Sequence, residues 1–341
     1  MKGKLNLIWA LLFMTVIPAV CPHLLAGEDT KTMIPLIKEA IEKDPKNFDL
    51  RLLLARTYAS LNKLDKAEWD YLNLINKDPN RAAAYNDLGI VYLQKGDPTR
   101  AVENFRIATE KDPKFAEAHY NLAELALAAG KFEFAVVHFR KGLGLEPNYP
   151  SVHHKLGIAL GRMGFAKEAL AELDKAAKEE PANLQIRSDL AFLNLSTNQF
   201  DQAAKEFRKV LDSLPQNGAA HYGLGLALAG KGKKEEAIQE FRKSYETNPK
   251  FIDPYLEAGD LLFELGRAGE AEKEYRRAVP LYEEFLKKRK KDVVDQIRFT
   301  TVLLRIGEKE AAKKSLKAII KSVDSKSPLY RQAKSLKEGM E

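Results

Sequence analysis

Gly225-Leu226-Ala227-Leu228-Ala229-Gly230-Lys231 has the glycine spacing and closing lysine of a phosphate loop, where backbone N–H groups would cradle phosphate oxygens. The next residue is Gly232 rather than the Ser or Thr that would hold magnesium, and no strand pattern precedes it, so nucleotide chemistry is not implied. The six histidines are His23, His119, His138, His153, His154 and His221, and no two stand at the four-residue helical spacing of a zinc motif. His153 and His154 are sequence neighbours and point to different faces of a helix. Cys21 is the single cysteine. Carboxylates are numerous but spread as ion-pair partners on helix surfaces would be, and no Ser-His-Asp grouping can be assembled. No catalytic residue, metal site or cofactor is expected, and the chain reads as a non-enzyme.

The elements that carry these residues repeat. Pro45, Pro79, Pro113, Pro147, Pro181, Pro215 and Pro249 follow one another at intervals of 34 residues. Such a period marks a stack of similar small units. With the proline as position 32, complete units begin at Phe48, Ala82, Ala116, Pro150, Leu184, Gly218 and Ile252. Position 20 is alanine throughout (Ala67, Ala101, Ala135, Ala169, Ala203, Ala237, Ala271), and position 8 is alanine or glycine. Tiny side chains at two fixed places imply helices in close backbone contact there. Position 7 is leucine in six units, and position 24 is Tyr71, Phe105, Phe139, Leu173, Phe207, Phe241 and Tyr275, groups large enough to fill the space between helices. Position 15 is always glycine or asparagine, the residues that accept the left-handed conformation closing a helix. The proline ends the second helix because it has no N–H to donate. Each unit is therefore helix, tight turn, helix, proline break.

This pattern of small, large, turn and proline positions over Phe48 to roughly Phe285 resembles the tetratricopeptide repeat (TPR) family. The resemblance implies an all-α fold, an α-solenoid of stacked helix-turn-helix units wound as a right-handed superhelix. There are two departures. Position 4, where the family often has a large aromatic, is Tyr85 and Tyr255 in two units but Arg51, His119, His153, Arg187 and His221 in the others. The seventh unit has Glu283 in place of the proline and carries Pro280 earlier, which predicts a kink in its second helix.

The resemblance also implies that the first helix of each pair lines the concave wall, with positions 2, 5, 6, 9, 12 and 13 facing it. Carried over, these give a groove for a peptide segment of another protein, formed by Asn86, Tyr120, Asn121, Glu124, His154, Lys155, Ile158, Phe192, Tyr222 and Leu226. Its middle reads as exposed and apolar (Tyr120, Ile158, Phe192, Leu195, Tyr222, Leu226), the composition of an interface core. The Lys and Asn set with which some family members hold chaperone C-termini does not occur in three consecutive units.

The ends differ from the array. Residues 1–26 have Lys2 and Lys4, an uncharged run from Leu7 to Cys21, and small residues at Ala26-Gly27, the layout of an export signal. This predicts an exported, periplasmic or secreted protein; the alternatives are an uncleaved membrane anchor through residues 5–26 or lipidation at Cys21. Residues 27–47 read as an N-terminal capping helix, 48–285 as seven repeats, and 286–341 as a degenerate eighth repeat with a capping helix. A long helix is predicted from about Glu270 to Lys291. The net charge is +7, yet residues 286–341 alone hold sixteen Lys or Arg against seven Asp or Glu. That end suits an anionic membrane or acidic partner. Its leading run, Lys287-Lys288-Arg289-Lys290-Lys291, lacks interleaved aromatics, so nucleic acid is disfavoured. A membrane-tethered accessory subunit of a secretion, pilus or polysaccharide-export machine is the alternative to a scaffold in the cell envelope.

Overall fold

A computed structural model describes residues 28–149, 151–289 and 292–340. The expectations for residues 1–26, Cys21 included, and for Lys290 and Lys291 lie outside these. The described residues form eighteen α-helices and no strand. In chain order they are α1 (Glu28–Lys43), α2 (Phe48–Ser60), α3 (Leu64–Lys77), α4 (Ala82–Gln94), α5 (Pro98–Lys111), α6 (Ala116–Ala128), α7 (Phe132–Leu145), α8 (Val152–Arg162), α9 (Ala166–Glu179), α10 (Leu184–Ser196), α11 (Phe200–Ser213), α12 (Gly218–Gly230), α13 (Lys234–Thr247), α14 (Asp253–Glu264), α15 (Ala268–Lys288), α16 (Val293–Arg305), α17 (Lys309–Ser322) and α18 (Pro328–Glu338). They fall into two compact units, α1–α9 up to residue 180 and α10–α18 from residue 181. In each unit a helix packs on the one before and the one after it, so the core runs as a continuous seam between helix layers.

Position 15 is left-handed in all seven repeats, with φ from +56° at Asn62 to +84° at Gly164, and Gly307 at +78° turns α16 into α17 in the same way. Asn47, Asp97, Asn183, Asn217, Asp292 and Ser327 cap the following helices by accepting backbone N–H bonds. Position 20 is buried throughout. The small residue at position 8 has a more specific cause than helix–helix contact alone. A Cβ added to Gly89 would stand 2.6 Å from the Phe105 ring, and one added to Gly225 would stand 2.5 Å from the Phe241 ring. The position-24 ring of the same repeat thus lies flat over position 8. At Gly157 the neighbours are Leu173 and the position-20 carbonyl of Ala169, the latter 3.2 Å away. Gly225, the first glycine of the phosphate-loop look-alike, is a packing residue inside α12.

Position 4 resolves what looked like scatter. Tyr85 and Tyr255 donate through their hydroxyls to the carbonyls of Pro79 and Pro249, both at 3.3 Å. Arg51 and Arg187 donate to those of Pro45 and Pro181. The Nε2 atoms of His119 and His221 lie 3.0 and 2.9 Å from those of Pro113 and Pro215. In these six repeats three residue types share one task, which is to satisfy the orphan carbonyl at the proline break; in the fourth, His153 meets Glu172 and Glu179 instead. The same side chains often meet position 23: Arg187 pairs with Glu206 at 3.0 Å and His221 with Glu240 at 2.6 Å. In the seventh repeat α15 continues through Pro280 as one helix of 21 residues, so the proline does not end it.

Candidate functional site

The first-helix wall of residues 28–180 is built from α2, α4, α6 and α8. Positions 5 and 6 are buried in α2 and α4, and position 5 is buried in α6. Asn86 and Tyr120 have no exposed surface. The expectation of Tyr120 as an exposed aromatic is therefore corrected. Its ring stacks on Tyr149 with centroids 4.1 Å apart, and its hydroxyl donates to the Glu146 carbonyl at 2.6 Å. Gly142 makes room for it, since a Cβ there would stand 2.4 Å from the ring. Burial pushes the Tyr120 phenol well up and that of Tyr149 up to about 12.

Polar groups on this wall bind one another across repeats. Arg56 on α2 donates to Asp87 on α4 at 2.6 Å. Asn121 on α6 donates to Asn86 on α4 at 2.8 Å. Lys155 on α8 pairs with Glu124 on α6. Asp87 is buried, and desolvation raises its carboxyl above the ordinary range although Arg56 opposes the shift. Burial raises Glu117 in the same sense. Asn121, Glu124, His154, Lys155 and Ile158 are all half-buried. Leu93 at position 12 is 37% exposed, and Leu127 in the next repeat is half-buried.

In residues 181–340 the wall is formed by α10, α12 and α14. Phe192 is 39% exposed and meets the buried Phe207 ring edge-on at 4.9 Å. Leu195 lies one turn along α10, and Tyr222 and Leu226 on α12 are half-buried. Tyr222 packs edge-on to Phe251 at 4.9 Å. Its phenol is raised by burial and then by Glu257 and Asp253. Phe263 on α14 is 47% exposed, with the Arg305 guanidinium 4.1 Å over its ring. Asp260 accepts from the Tyr275 hydroxyl at 2.5 Å. Position 6 in the middle helix is Gly223, where a Cβ would stand 2.1 Å from Phe207.

Position 12 was among the positions expected to face the wall and Leu195 was named there, but Leu93, Leu127 and Phe263 in the same register were not singled out. The His119–His138 pair was also not anticipated. Their Nδ1 atoms lie 3.0 Å apart, and the Phe134 ring lies tilted against His138 with centroids 4.3 Å apart. Burial, followed by His119 and Lys141, lowers His138 to about 4. Among the described residues no three His, Cys, Asp or Glu side chains converge as metal ligands, and no helix is long and apolar enough to cross a membrane.

Three tetratricopeptide repeat models match the chain, one over residues 24–89, a second over 86–150 and 189–250, and a third over 252–285. No curated protein matches. Among solved structures, a tetratricopeptide repeat protein from Parabacteroides merdae aligns with TM-score 0.56 and 18% identity over 74% of this chain and 98% of its own. YrrB, described as a TPR protein with an unusual peptide-binding site, aligns with TM-score 0.52 and 21% identity over 54% of this chain and 95% of its own. The matched segments together cover more than half of the sequence, and they coincide with helix pairs whose left-handed turns, buried alanines and capped proline carbonyls recur at one period. The chain belongs to the tetratricopeptide repeat family.

Proposed function

We propose that the protein is a non-catalytic scaffold that holds a peptide segment of another protein on its first-helix wall, and that the apolar row of residues 181–340 is the stronger contact. One observation carries this reading. Phe192 keeps 39% of its surface exposed although its ring is already anchored edge-on by Phe207. A rigid, half-buried aromatic between aliphatic neighbours is the kind of residue that dominates binding energy at protein interfaces. Leu195, Leu226 and Tyr222 extend the contact, and Asp260 and Glu257 border it with acidic groups, which favours a peptide with apolar anchors beside a basic residue. The description of YrrB as a peptide binder is consistent with this use of the fold.

Peptides selected on the purified protein from a random display library test the reading. Anisotropy titrations should then show Phe192→Ala weakening binding about ten-fold or more, as loss of a central aromatic does. Unchanged affinity in Phe192→Ala and Tyr222→Ala would remove this surface from the proposal. The envelope location rests on the charge and apolar pattern of residues 1–26. The intact mass of the native protein distinguishes a chain beginning near Gly27 from one that keeps its first 26 residues as an anchor.

A further inference from the structure

Helix α17 is unlike every other second helix. It carries Lys309, Lys313, Lys314, Lys317 and Lys321 against a single acid, Glu310. By contrast, α11 balances its charges, and α13 and α9 each carry more acids than bases. Lys309, Lys313, Lys317 and Lys321 stand at successive four-residue steps, so they form one slanted stripe about 18 Å long at the 1.5 Å rise per residue of a helix. All five lysines are exposed, and none has an ion-pair partner among the described residues. Elsewhere cations of the second helices are commonly paired, as Arg106 is with Glu103 and Glu110, or Arg242 with Glu274. Like charges four residues apart destabilise a helix. The opposite face tolerates this because Ala312, Leu316 and Ile319 are fully buried, the latter two in a cluster with Ile297 on α16 and Ala333 on α18.

We infer that this face of α17 docks the protein on an anionic lipid surface. The stripe is flat and outward. It has no exposed aromatic or large aliphatic side chain that could anchor a folded protein partner, and no ring on which a nucleic-acid base could stack. Its cations are lysines, compact point charges rather than the planar forks that read phosphates in pairs. A cluster of four or more such charges on an amphipathic helix is what an acidic membrane surface attracts, through a field that fades within a Debye length. The surface is distinct from the first-helix wall, so peptide binding and membrane docking can be lost separately.

The test is co-sedimentation of the full chain with vesicles of neutral phosphatidylcholine and with vesicles containing about a third phosphatidylglycerol, at low and high salt. The readout is the ratio of binding on the two lipids, which the apolar segment 5–26 does not bias. The ratio should be about 100-fold at low salt, roughly five-fold for each of three lysines. It should fall towards one at high salt and in the triple variant Lys313→Gln/Lys317→Gln/Lys321→Gln. That variant relieves repulsion within α17, so circular dichroism should show it folded. A ratio near one for the unaltered chain overturns the inference, as does a ratio that the triple variant preserves. Tight binding of polyglutamate or duplex DNA without lipid preference would overturn it in favour of a different acidic partner.

Discussion

The two first-helix walls are built on one backbone pattern and behave differently. In residues 28–180 the polar groups are committed to each other: Arg56 to Asp87, Asn86 to Asn121, Lys155 to Glu124. In residues 181–340 position 6 is Asp189, Gly223 and Glu257 and position 9 is Phe192, Leu226 and Asp260, so the wall is apolar and partly open over α10 and α12 and acidic at α14. At α12 the difference arises at position 6: Asp87, Asn121 and Lys155 each reach the preceding repeat on the first wall, whereas Gly223 has no side chain to do so and leaves room for the Phe207 ring. A ligand on the first wall must break hydrogen bonds that are already made, and a buried partner left unpaired is costly. A ligand on the second only displaces water from apolar surface.

The largest effect that would break this contrast is at Phe207. It is fully buried and supports both Gly223 and Phe192, so Phe207→Ala should cost about 3–5 kcal/mol in urea unfolding. A loss below about 1 kcal/mol would mean that the second wall does not rest on that ring. Asp87→Ala should cost about 1–3 kcal/mol, because it strands Arg56 on the first wall, with part of the penalty relieved by the solvent access that Arg56 retains. Gly223→Ala should cost about 1–3 kcal/mol by overpacking against Phe207, and it should lower peptide affinity if the wall must stay open.

Acid should act on the first unit through His138. His138 stays neutral in the folded chain down to about 4, while an unfolded histidine takes its proton near 6.5. The unfolded state therefore binds more protons in that window. The stability linked to neutral His138 is present above pH 6.5 and is lost as pH falls towards 4. Urea titrations across the window should show the slope, and His138→Leu should flatten it. The smallest effect is at Phe192 itself. Phe192→Ala should cost only about 1 kcal/mol of stability, the scale of an edge-on aromatic pair, while its effect on binding is larger. Equal losses in stability and binding would mark it as a core residue.

Much of the fold was legible because its determinants are local and periodic. A left-handed turn at position 15 needs glycine or asparagine whatever surrounds it, and seven repetitions make the requirement visible. The fully buried alanine at position 20 is legible for the same reason. The candidate surface was less so. Tyr120 and Tyr222 occupy the same position 5 with the same side chain, yet one is fully buried and the other half-buried. The cause is non-local: Gly142 and Tyr149 receive the Tyr120 ring, and Phe251 only flanks Tyr222. Position 4 looked irregular because residue type was compared, while the property shared by six of the seven repeats is a donor long enough to reach a carbonyl six residues back.

By itself the sequence determined the helix pair, its period, its turns and the small-against-large packing within a repeat, since each depends on backbone chemistry or on contacts between residues about sixteen apart in one unit. Only the tertiary structure decided which polar groups on the wall are already paired, which aromatics remain accessible, and that two histidines nineteen residues apart share a hydrogen bond. Those outcomes depend on the neighbouring chain segments that each side chain meets, and burial and partnership follow from that packing rather than from residue type.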